Sequence, residues 1–143
     1  MTIARPLLLG RSPALARRYL AVAVGLFVAT LGLLGLAWAV SRLGVSVPIG
    51  GAPLLWGVAV VGVGVPASHA YRNDGLLVSV ALGVPVPLAF YLVLTAFDLV
   101  YPAEDVLWGV GTALQFGIPA GALGFLVGVA GRRLRKRLSY RIP

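Results

Sequence analysis

The sequence predicts an all-α protein: an integral membrane bundle of four helices with both chain termini on the cytoplasmic side. Three observations predict it. Four apolar stretches, each about long enough to cross a bilayer, occupy nearly all of the 143 residues. Hydrophobic residues make up 59% of the chain and charged ones 11%, against about 45–50% and 25% in soluble domains, so a water-soluble core does not fit. Basic residues gather at the two ends, with Arg5, Arg11, Arg17 and Arg18 before the first stretch and Arg132, Arg133, Arg135, Lys136, Arg137 and Arg141 after the last. The segment 98–105 instead carries Asp98, Glu104 and Asp105 and no base, which sets the ends inward by the positive-inside rule.

The elements follow in order. Residues 1–18 read as a basic segment lying at the interface, because Leu7-Leu8-Leu9 is flanked by Arg5 and Arg11. Arg17-Arg18-Tyr19-Leu20 resembles a weak twin-arginine signal, with Ala37-Trp38-Ala39 as a cleavage site. The apolar stretch exceeds a usual signal core, so it is read as a retained span, Tyr19 to Val40. The loop from Gly44 to Ala52, with Pro48 and Gly50-Gly51, is an irregular outer connection. The second span is Pro53 to Tyr71 and the third Leu76 to Phe97, joined by Arg72-Asn73-Asp74-Gly75, where Asp74 is placed to cap the incoming helix. The fourth span is Ala103 to Ala130, which completes a transmembrane domain over 19–131 and leaves 132–143 as a basic tail. Trp38, Trp56, Tyr101 and Trp108 fall at one boundary and Tyr19, Tyr71 and Tyr140 at the other, as amphipathic rings at headgroup level should.

Leu55-Trp56-Gly57-Val58 recurs as Leu107-Trp108-Gly109-Val110, each followed by a Gly-Val-Pro or Gly-Ile-Pro step. Two readings fit equally: a duplicated helical hairpin in parallel orientation, and coincidence in a chain dominated by Gly, Val, Leu and Ala.

Several function classes are disfavoured. Cysteine is absent, which removes disulfides and thiolate chemistry, and His69 alone cannot build a metal site. No nucleophile stands beside a base, so an enzyme is not expected, and neither a cofactor nor a metal is called for. A net charge of +8 is common in nucleic-acid binders, but its placement flanking spans points to topology and anionic lipid headgroups instead.

Three sets of residues are candidates for function. The fourth span carries a stripe of small residues, Ala113, Gly117, Gly121, Gly124, Gly128 and Gly131, and the first carries Ala21, Gly25, Ala29, Gly32, Gly35 and Ala39. In lipid, where no solvent drives helices together, such stripes allow the close backbone approach that holds helices. The first and fourth spans are therefore expected to pack on each other, with self-association or a partner subunit as the alternatives. Pro85 and Pro87 deprive the carbonyls of Ala81 and Gly83 of their helical partners, so the third span is broken or kinked. Ser79, Thr95 and Thr112 are the hydroxyls at hand to relieve it. Together with Asp98 and Gln115, the two prolines outline a candidate ion or solute path, although Gln115 reads first as an interhelical hydrogen-bond partner, Asp98 as an interfacial acid and His69 as a helix-end cation or hydrogen-bonding group. Arg132, Arg133, Arg135, Lys136 and Arg137 are candidates for binding anionic lipid or an acidic partner.

In size and span number the chain resembles the small multidrug-resistance carriers and the fluoride channels, both dimers of four-helix subunits. That resemblance implies architecture alone. Residues 19–40 hold no counterpart of the carriers' essential glutamate, and no stretch carries the channels' glycine-arginine signature. The function expected is that of a small non-catalytic protein of the cell membrane, an accessory or interaction subunit in a homo-oligomer or larger complex. The alternative is an oligomeric channel or transporter for a small ion or solute, working through the broken third span.

Overall fold

A computed structural model of the chain describes residues 10–46, 52–97 and 105–139. These form five helical elements: α1 (Pro13–Arg42), α2 (Ala52–Asn73), α3 (Leu76–Gly83), α4 (Pro85–Ala96) and α5 (Val106–Ser139). Helices α3 and α4 together make the third span, so four helical rods are long and apolar enough to cross a membrane. No strand occurs among the described residues.

The end elements are longer than the apolar stretches alone imply. Helix α1 begins at Pro13, with Ser12 as its N-cap accepting from the Leu15 N–H, so residues 13–18 are helical and continuous with the first span. Of the remainder of the expected interfacial segment, residues 10–12 lead into this helix and residues 1–9 lie outside the described residues. Helix α5 runs unbroken to Ser139, so the basic tail through that residue is helical: Arg, Lys and Leu are good helix formers and meet no stop signal there.

The third span lies at the centre. Half of it is buried inside the bundle, against about a tenth of the first span. Helices α2 and α5 close one side, and α1 lies on the other, against α4. Leu34 on α1 packs with Phe90, Val93 and Leu94 on α4, while Ala23 meets Val78 and Leu82 on α3. Helices α1 and α2 diverge around an apolar groove of about 330 Å³ lined by Leu33, Val58, Val61 and Phe90.

The expected pairing of the first span with the fourth does not occur. Glycines of α5 lie instead against the other two spans, and the order follows the chain. A Cβ added at Gly109 would lie 3.0 Å from Thr95, at Gly117 2.8 Å from Val84, and at Gly121 2.7 Å from Val80, all in the third span. Further along, one added at Gly124 would lie 2.7 Å from Pro66, and at Gly128 2.8 Å from Ala70, both in α2. These distances are below ordinary van der Waals contact, so only hydrogen fits, and the backbones approach closely enough for dispersion and Cα–H···O contacts to hold them. By contrast, nothing lies within 4 Å of the positions a Cβ would take at Gly25, Gly32 and Gly35 on α1. The first-span stripe faces outward.

The break at Val84 is sealed by the same device. Pro87 supplies no N–H to Gly83, and the helix restarts where Leu88 N–H donates to Val84 O at 2.9 Å. Gly83 sits against the backbone of Gly117 and Gly121, so α5 covers the gap. Two of the three hydroxyls expected to relieve the break, those of Thr95 and Ser79, are used elsewhere. Thr95 bonds its own helix at Tyr91 O, and Ser79 turns to His69 and Pro66 O.

The two copies of the Leu-Trp-Gly-Val sequence occupy different surroundings. Gly57 opens onto empty space, whereas Gly109 is covered by Thr95 and the Tyr91 carbonyl.

Candidate functional site: the basic end and its polar clasp

At the end of the bundle where both described termini lie, a hydrogen-bonded clasp ties three parts of the chain together. It starts from the turn after α2. Asn73 ends that helix, and Asp74 takes a left-handed conformation (φ 59°), with its N–H bonded to Ala70 O. Asp and Asn tolerate this region better than other side chains because their short polar groups bond locally. Asp74 therefore closes α2. The N-cap of α3 is Gly75, with no side-chain bond, which corrects the expectation that Asp74 would cap the incoming helix.

Asn73, fully buried, clamps the chain that enters α1. Its Oδ1 accepts the Ser12 N–H at 2.6 Å, its carbonyl accepts the Arg11 N–H at 2.9 Å, and its Nδ2 donates to Ser12 O at 3.1 Å. The approach is so close that a Cβ at Gly10 would lie 2.7 Å from the Asn73 carbonyl, and Gly10 also has φ +87°, so glycine is required twice over.

One turn back along α2, His69 is completely buried. Its Nε2 lies 3.2 Å from Asn73 Nδ2 and its Nδ1 3.0 Å from Ser79 Oγ. A backbone N–H can only donate, so the bond from Ser12 sets the Asn73 amide with nitrogen toward the ring. Nε2 must then accept, Nδ1–H donates to Ser79, and the Ser79 hydroxyl donates to Pro66 O at 3.4 Å. His69 is thus the neutral centre of a satisfied chain, with the Tyr19 ring edge-on at 5.0 Å. Of the two sequence expectations for His69, a helix-end cation or a hydrogen-bonding group, the second describes these contacts, while its partners Ser79 and Asn73 are not evident from the sequence. The spacing of His69 to Asn73, one helical turn, together with the Ser12-Pro13 helix start, was the available signal.

Charge closes the clasp. Asp74 Oδ2 pairs with Arg11 Nε at 3.0 Å, and its Oδ1 pairs with Arg132 of α5. Next to it, Arg135 Nη1 donates to the Tyr71 hydroxyl at 2.9 Å. Tyr71, Arg132, Arg135, Lys136 and Ser139 line an open cleft of about 570 Å³ between the end of α2 and the extension of α5. Arg133 and Arg137 face away, on a second patch with Leu126, Val129 and Leu134. The five basic candidates are therefore divided between two faces of one helix.

Among the described residues, Pro85, Pro87 and Gln115 are not brought together. Pro87 is buried, and Pro85 lines a groove whose other walls, Leu20, Ala23, Val24, Phe27, Ala81, Val84 and Leu88, are all apolar. Gln115 is exposed on α5, about half a helical turn away from the packed Gly117 face, and has no hydrogen-bond partner among the described residues. The expected interhelical bond from Gln115 is not made among the described residues. Asp98 lies outside the described residues. At the opposite end, Trp38 stacks on Phe97 with centroids 4.3 Å apart, and Arg42 sits over Trp38 at 5.1 Å.

No family model, curated protein or solved structure matches this chain.

Proposed function

We propose that the chain is a small non-catalytic multi-pass protein of the cell membrane, with both termini cytoplasmic, that acts as an interaction or accessory subunit. It would join a homo-oligomer or a larger membrane complex through α1 and contact anionic headgroups through its basic end. The observation that carries this reading is the division of labour between the two small-residue stripes. The stripe on α5 is consumed in holding the bundle together, while Gly25 and Gly32 on α1 have nothing within 4 Å and lie on an otherwise exposed face. Glycines with no internal role leave a surface on which another transmembrane helix can pack closely. The basic cluster supports the orientation, because Arg and Lys next to a span are retained on the cytoplasmic side and attract anionic lipid. A channel reading finds less support, since α5 covers the break in the third span.

The test is native mass spectrometry of the gently extracted protein, alongside the double variant Gly25→Leu/Gly32→Leu. The variant is expected to fold, because neither side chain meets an internal neighbour, and to lose its oligomer or its partner. An unchanged assembly would overturn the proposal. Because the chain has no cysteine, single cysteines placed near each terminus and labelled from one side would check the topology.

A further inference from the structure

We infer that the cleft between α2 and the extension of α5 is a binding site for the phosphate of an anionic phospholipid, held by Arg135 and Lys136 with Arg132 at its rim. The inference rests on the reading above that this end lies at headgroup level, and it makes that reading specific to one site.

Three features point to a phosphate. Arg135 is pre-oriented by the Tyr71 hydroxyl, which occupies one guanidinium N–H and leaves the rest of the fork free for an oxyanion. Lys136 opens onto the same cleft and has no carboxylate partner among the described residues. Among the described residues the nearby acid, Asp74, is already engaged by Arg11 and Arg132, so its charge is spent on the clasp and not on the two cations that face the cleft. A tyrosine hydroxyl and two unneutralised cations around an open space are matched by a group with one or two negative oxygens.

A fourth feature selects a lipid over a free anion. At 3.6 residues per turn, positions seven apart share a helix face, so Phe125 and Ile118 lie directly below Arg132 along α5. Phe125 is half-buried and Ile118 is 46% exposed, which gives an apolar track leading from the cleft into the membrane. An acyl chain would follow it. Inorganic phosphate would gain nothing from it.

The second basic patch supplies an internal control. Arg133 and Arg137 carry the same charge on the same helix but face the outside of one helix, and among the described residues no tyrosine bonds to them. Arg135→Gln/Lys136→Gln and Arg133→Gln/Arg137→Gln therefore remove equal charge from different places.

The experiment measures retention of phosphatidylglycerol by the purified full-length protein, by native mass spectrometry from mixed phosphatidylglycerol and phosphatidylcholine micelles. The cleft variant is expected to lose about ten-fold or more in apparent affinity, the control variant no more than about two-fold. Tyr71→Phe, which changes no charge, should weaken binding a few-fold by releasing Arg135. Circular dichroism of each variant separates loss of the site from loss of the fold. Equal losses from both double variants would overturn the cleft while leaving the basic end as a diffuse headgroup contact. No preference for the anionic lipid in the wild-type protein would overturn both readings. Displacement of the lipid by millimolar inorganic phosphate would show a free anion to be the ligand and overturn the lipid assignment.

Discussion

Adding one methyl group to the packed stripe, by Gly121→Ala, measures how much the bundle depends on backbone contact. The ideal Cβ at this position would lie 2.7 Å from Ser79 O, Val80 Cα and Val80 O, and all three are backbone atoms that cannot rotate away. Ordinary contact begins near 3.4 Å, so α5 and α3 must separate by about 0.7 Å. Overpacking of this kind costs about 1–3 kcal/mol, and the gain in helix propensity on replacing glycine returns about 0.5–1 kcal/mol. A net loss of about 1–2 kcal/mol is expected. Separation at Gly121 also loosens the neighbouring seal over Gly83, so the loss should lie toward the upper figure. Unfolding in detergent, followed by helix content or a steric trap, gives the difference directly. Gly111→Ala serves as the control, because a Cβ there meets nothing within 4 Å. It should be neutral or slightly stabilising. If the two variants proved equally stable, the claim that α5 holds the bundle by close backbone approach would fail.

Other expectations concern single side chains. Asp74→Asn keeps a residue that tolerates the left-handed turn but removes both ion pairs, and should lower stability by about 1–2 kcal/mol, whereas Arg11→Gln, whose side chain is 64% exposed, should cost under about 1 kcal/mol. Thermal melts of the two variants compare them. His69→Ala empties a fully buried site and strips partners from Ser79 and Asn73, so a loss of about 2–4 kcal/mol is expected in the same melts, and a neutral result would mean that the network adds nothing. Gln115→Leu replaces an amide that has no partner within the described chain. In monomeric protein it should leave stability unchanged or raise it by about 1 kcal/mol, and a clear loss would reveal a partner for that amide.

How much of this was legible follows from what each signal encodes. The spans were readable because hydrocarbon demands about twenty apolar residues, and the break at Pro85 and Pro87 because proline lacks an N–H wherever it stands. The glycine stripe of α5 was readable as a packing face, since its spacing follows the helix. Its partner was not. The stripe on α1 has the same small residues, and spacing describes one helix face without naming the opposite one. The neighbours are set by which helices enclose the broken third span, a matter of three-dimensional packing. The clasp was hidden for a similar reason. Ser12 and Asn73 are 61 residues apart, and a lone histidine near a helix end gives no sign that it will be enclosed by a distant helix start. Asp74 was misplaced because a turn acid serves equally well as a cap for the next helix or as a left-handed terminator of the previous one.

The peripheral position of α1 has a consequence for how the protein is made. Its main anchors, Phe90 and Leu94, lie more than fifty residues further along the chain than Leu34, the residue they hold. At about 5–20 residues per second, the first helix waits in the bilayer for several seconds before its docking surface has been synthesised. During that interval it has only its tie to Asn73 and its contacts with α3 to hold it, while its glycine face stays open to other helices. The apolar seat of α1 is thus made well after the helix itself, and a companion helix has its best opportunity to dock on the open glycine face before α4 arrives.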